Sequence, residues 1–189
     1  MRKSLCIMMA MLLMLSFTNA QLIKKTTSPS PFSLSLTSII ENYQNNYRQI
    51  QGEFLQPDED RDIYKSTIDL PGTSHCFIYR FHSKEDTTAS WQAILYEGED
   101  FKEATKQYKN CFRYLKQIKF KAGLANNSLD GEIENPSEEL RFTTSTLRPV
   151  TYSLLYNNFM AEIEIINSLT GWTVQLNFHS RKNDARQYQ

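Results

Sequence analysis

Two runs near the end of the chain alternate apolar and polar side chains with a period of two. In Phe159–Ile166, Ala161, Ile163 and Ile165 alternate with Glu162 and Glu164, and in Trp172–Phe178, Trp172, Val174, Leu176 and Phe178 alternate with Thr173, Gln175 and Asn177. Successive side chains of a strand point to opposite faces, so each run demands extended backbone with one face on a core and the other wet. Ser168–Gly171 supplies the turn between them, and the pair predicts an antiparallel hairpin. Any fold for this chain must contain it.

The rest of the pattern mixes the two periods. Leu36, Ile39, Ile40, Tyr43, Tyr47 and Ile50 recur at spacings of three and four, which predicts a helix from residue 36, capped by Ser35 or Thr37 and leaving at Gly52. Ile63–Leu70, His75–Phe81 and Thr88–Tyr96 read as three strands of an antiparallel meander. A second helix follows, with Phe101, Ala104, Tyr108, Cys111, Phe112, Leu115 and Ile118 on one stripe. Glu99 and Asp100 sit at its positive end, and Arg113, Lys116 and Lys119 at its negative end. Lys119–Gly123 reads as a strand, Asn126–Ser137 as a polar loop, Leu140–Leu147 as a strand and Tyr152–Tyr156 as a short extra piece. The class is therefore α+β, two helices packed on an antiparallel sheet. The order suggests a duplicated helix-plus-three-strand meander, similar in layout alone to type III secretion chaperones.

The start of the chain is of another kind. Arg2 and Lys3 precede Leu5–Phe17, in which only Ser16 is not apolar, and Thr18-Asn19-Ala20 offers small residues for cleavage. This predicts a signal peptide over residues 1–20, too short to serve comfortably as a membrane span. Cys6 lies too early for a lipoprotein cysteine, so the expectation is an exported protein, periplasmic or extracellular and not lipid-anchored. Residues 21–35 read as a flexible tether with Ser28-Pro29-Ser30-Pro31, residues 36–180 as one α+β domain, and residues 181–189 as a polar tail. Residues 21–189 carry 19 basic and 21 acidic side chains, a net of −2, with no basic excess to suggest nucleic acid and no further apolar run to suggest a transmembrane segment.

Few residues offer chemistry. Cys76 and Cys111 are the only cysteines after residue 20, and export would place them where disulfides persist. A bond between them would pin the second helix to the sheet; the alternative is two buried thiols acting as small apolar groups. Asp58, Asp60 and Asp62 have the spacing of a calcium loop, but the sixth position is Ile63, where such loops need glycine. A solvated acidic loop accounts for them as well. His75, His82 and His179 form no ligand or nucleophile motif, and no cofactor is expected. Tyr64, Tyr79, Tyr96, Tyr152 and Tyr156 are candidates for an aromatic binding surface on the sheet.

Leu70-Pro71-Gly72-Thr73-Ser74-His75-Cys76-Phe77-Ile78-Tyr79 and Ser90-Trp91-Gln92-Ala93-Ile94-Leu95-Tyr96-Glu97-Gly98-Glu99-Asp100 resemble segments of short exported proteins of unknown function from Gram-negative bacteria. The resemblance spans the first helix to the second and implies a compartment, without an activity. The expected function is a non-catalytic module that binds a protein or other macromolecular partner through its sheet face. The alternative is a small-ligand protein or enzyme with a pocket between helices and sheet, in which His75 or His179 meets a carboxylate.

Overall fold

A computed structural model describes residues 29–58, 60–82 and 88–181. The predicted signal peptide lies outside them, as does the tail beyond Arg181. The chain opens with α1 (Pro31–Asn42), followed by two 3₁₀ turns, Tyr43–Asn45 and Arg48–Ile50. Four strands come next: β1 (Gln51–Asp58), β2 (Arg61–Ser66), β3 (His75–Phe81) and β4 (Ala89–Gly98). After α2 (Phe101–Gln117) come β5 (Lys119–Ala122), β6 (Ala125–Asp130), β7 (Phe142–Pro149), β8 (Phe159–Ser168) and β9 (Gly171–Ser180). These nine strands of the described residues join one sheet in the order β1-β2-β3-β4-β9-β8-β7-β6-β5, and every pairing is antiparallel. The α+β layout is as expected. The plan is helix and four strands, then helix and five, rather than three strands twice.

The helices cover one face. Trp91 and Ala93 of β4, Val174, Leu176 and Phe178 of β9, and Ala161, Ile163 and Ile165 of β8 are all buried there. They meet Ala104, Tyr108, Cys111 and Leu115 of α2 and Leu36, Ile39 and Ile40 of α1 in a single core. Burying a side chain of this size fully is worth roughly 1.5–3 kcal/mol, so these central rows hold the sheet to its helices. Asp100 caps α2 by accepting from Lys102 N and Glu103 N, the role its place in the sequence suggested. Among the described residues, no helix is long and apolar enough to cross a membrane.

Several boundaries differ from the sequence reading. The first helix begins at Pro31, with the Ser30 hydroxyl accepting from Ser33 N, so residues 31–35 belong to α1 and not to the tether. It ends at Asn42, well before Gly52, because Asn46 and Tyr47 both take the left-handed conformation. Tyr47 is a bulky residue for φ 57°, but its ring is fully buried. Ile63–Leu70 is a strand only as far as Ser66, and β1, unforeseen, lies outside it. Asn126–Ser137 contains β6 in place of a loop throughout. The short extra piece expected over Tyr152–Tyr156 is a loop that runs into turns from residue 154.

Candidate functional site

The face of the sheet away from the helices has no element over it among the described residues, and its polar residues are bonded to one another across strands. Register sets the rows. Gln92 of β4 lies opposite Asn177 of β9, which lies opposite Glu162 of β8 and, through it, Thr146 of β7. One row along, Gln175 faces Glu164. Tyr79 donates from its hydroxyl to Gln92 Oε1 at 2.9 Å, Gln92 Nε2 donates to Asn177 Oδ1 at 2.8 Å, and Asn177 Nδ2 donates to Glu164 Oε2 at 2.9 Å. Gln175 Nε2 also donates to Glu164, and Thr146 Oγ1 to Glu162 Oε1 at 3.2 Å. His179 Nε2 lies 2.8 Å from Glu162 Oε2.

These residues border a hollow of about 340 Å³, lined by Arg61, Tyr79, Gln92, Glu162, Asn177 and His179 among others. The volume is near the lower end of the roughly 300–1,000 Å³ typical of small-molecule sites. The Arg61 guanidinium sits 4.9 Å from the centre of the Tyr79 ring while pairing with Asp58 at 2.6 Å. The hydrogen bond from His179, with its charge as a further cause, holds the Glu162 carboxyl below the ordinary carboxylate range against an opposing burial effect. Burial raises the Tyr79 phenol above its usual value, with Arg61 acting in the opposite sense. The arrangement is carried by five adjacent strands, β3, β4, β9, β8 and β7. It presents donors and acceptors in alternation, and the imidazole's bond is to a carboxylate rather than to a nucleophile.

The five tyrosines expected to share a surface do not. Tyr79 is on the open face, at the hollow. Tyr64 lies opposite Ile78 and so turns to the helix side, against Phe54. Tyr96 follows an irregularity in the β4–β9 register, pairs with Val174 on the helix side, and accepts a hydrogen bond from Asp100 N. Tyr152 is exposed in the loop after β7. Tyr156 is 1 % exposed, ringed by Tyr43, Phe120 and Phe159, with its hydroxyl donating to Ile40 O at 3.2 Å. It is a core residue and cannot contact a partner.

The other candidates also resolve. Cys76 and Cys111 are separate, buried free thiols; burial raises both, Cys111 furthest, and Cys76 lies 3.4 Å from the Thr73 hydroxyl. The acidic hairpin is not a ligand cluster: Asp58 is taken by Arg61, and Asp62 is 3.8 Å from His82. Among the described residues, no three His, Cys, Asp or Glu side chains gather as a metal site. The alternative reading asked for a histidine with a carboxylate in a pocket between helices and sheet. His179 and Glu162 supply that pair, but on the opposite face. The interior it named is filled by the core. Glu162, Glu164, Gln175 and Asn177 are legible in the sequence only as the wet side of a hairpin, and Arg61 carries no signal at all. No protein-family model matches this chain, and no curated protein or solved structure matches it either.

Proposed function

We propose that this chain is an exported, non-catalytic binding module that engages its partner on the open face of the sheet, centred on the hollow between β2–β4 and β8–β9. Its export is supported by the leader-like residues 1–20. The observation that carries the binding reading is the interlocked row from Tyr79 to Glu164, half-buried and internally bonded, on a face that neither α1 nor α2 covers. Such a row costs side-chain entropy to order, and a pre-ordered surface is what binding gains from. The test is site-specific photo-crosslinking in cells. A crosslinker at Ser90 should give a discrete adduct, one at the exposed helix position Lys109 should not, and Asn177→Trp should abolish the first. Equal adducts from both positions would refute the reading.

The His179–Glu162 pair favours a second reading, a ligand site with acid–base capacity, since a carboxylate that orients an imidazole is a recurrent element of such sites. It would be distinguished by turnover that is lost in His179→Gln.

A further inference from the structure

The hollow has a chemistry that selects among ligand classes, and the choice among them rests on the binding reading of this face. An anion would meet Glu162, held ionised by His179, with Glu164 beside it, while the guanidinium that lines the hollow, that of Arg61, is committed to Asp58, and the charge of Arg148 already acts on Glu162. A cation would compete with His179 for Glu162, and with Asn177 and Gln175 for Glu164. An apolar ligand would bury the remaining hydrogen of Asn177 Nδ2 and the charged edge of Glu162 with nothing offered in return. A neutral, hydroxyl-rich ligand brings no charge to desolvate and can use what the row leaves over, the second lone pairs of Gln92 Oε1 and Asn177 Oδ1 and the second hydrogen of Asn177 Nδ2. Each hydroxyl both donates and accepts, so a vicinal pair can give to a carboxylate oxygen or to an amide oxygen and take from an amide nitrogen. Glu162, Gln92 and Asn177 offer those groups side by side on three neighbouring strands. The Tyr79 ring lines the hollow beside them and supplies apolar carbon on which the carbon–hydrogen face of a sugar ring can pack, next to the Arg61 guanidinium that lies over it.

We infer that the hollow is a carbohydrate site for uncharged sugar units, read by the Gln92 and Asn177 amides and the Glu162 carboxylate, with Tyr79 as the ring beneath. The experiment is a glycan array of neutral and charged oligosaccharides probed with the full chain, followed by calorimetry on the best neutral sugar. Neutral glycans should be retained above sialylated and sulfated ones, and Asn177→Ala and Gln92→Leu should each weaken binding about tenfold. Both variants lose hydrogen bonds of the row and should melt somewhat earlier, so binding is measured at a temperature where circular dichroism shows each still fully folded, which separates lost recognition from lost fold. Lys109→Ala serves as the unaffected control. A preference for charged glycans, or an array without retained neutral sugars, overturns the inference. If the array is empty while the Ser90 crosslinker still captures an Asn177-dependent adduct, the sugar assignment falls and the binding face stands. If both fail, the binding reading falls with it.

Discussion

The Trp91 indole is fully buried in the core against the Phe178 ring, and its Nε1 donates to Ser66 Oγ at 3.1 Å. Ser66 is itself 2 % exposed, and the same oxygen donates to Ile68 O at 2.8 Å and accepts from Ile68 N at 3.2 Å. Ser66→Ala removes no volume of consequence but leaves a buried N–H with no acceptor, which costs about 1–3 kcal/mol, and it loosens the turn after β2. About 2 kcal/mol is the expected total. For a domain of this size that lowers Tm by roughly 4–8 °C. The assay is urea unfolding of the parent, Ser66→Ala, Trp91→Phe and the double variant, followed by far-ultraviolet circular dichroism. In the Trp91→Phe background the indole N–H is gone, so Ser66→Ala should cost about half as much or less. A loss below about 0.5 kcal/mol, or an equal loss in both backgrounds, would refute the assignment of this hydrogen bond as the reason for Ser66.

Four further outcomes are expected. Burial pushes the Tyr156 phenol up to about 12 and raises Tyr47 well above its ordinary value, so ultraviolet difference titration should show at least two tyrosines ionising late; the neutral form is the one the fold favours, and the stability this gives is complete below the ordinary tyrosine value and lost as pH rises through the folded value. Glu162 has the opposite sign. Its lowered pKa contributes stability above the ordinary carboxylate range that disappears as pH falls through the folded value, so Glu162→Gln should flatten the acid limb of stability against pH. Gly171 has φ +113°, and a Cβ there would stand 2.6 Å from Gly98 O, so Gly171→Ala should lower the urea midpoint by an amount equivalent to about 1–3 kcal/mol of backbone strain. Cys76 and Cys111 should resist an aromatic disulfide reagent in the native protein and react at once in denaturant, and protection of neither would contradict their burial.

Elements with strong internal patterns could be read directly. The β8–β9 hairpin follows from alternation, and α2 from its apolar stripe and acidic start. β1 could not, since Gly52 and Pro57 break the pattern and an edge strand with exposed Phe54 and Leu55 has no buried face to impose one. β6 has two asparagines of poor strand preference; Asn127 holds it by tying its side chain to Thr151 N and Thr151 O, a contact over 24 residues that no local window contains. Tyr156 lies in turns, where neither helical nor strand spacing can tell an inward ring from an outward one. The site was hidden for a different reason. Each of its polar residues is ordinary on its own strand, and their meeting depends on β4 lying beside β9, a pairing between the last strands of two distant meanders.

The two ends of the strand order carry a consequence for assembly. An open sheet leaves one unpaired backbone edge on each side, and such edges recruit other strands unless they are spoiled. β1 has register irregularities between Gln51 and Phe54 and again between Phe54 and Gln56, with Pro57 just beyond. β5 is four residues long, with two exposed lysines, Lys119 and Lys121. Each margin therefore carries features that discourage annealing to another chain, one by kinks and a missing amide hydrogen, the other by brevity and charge. With lateral growth discouraged in this way, the contact proposed for the polar face would meet little competition from strand pairing at the margins.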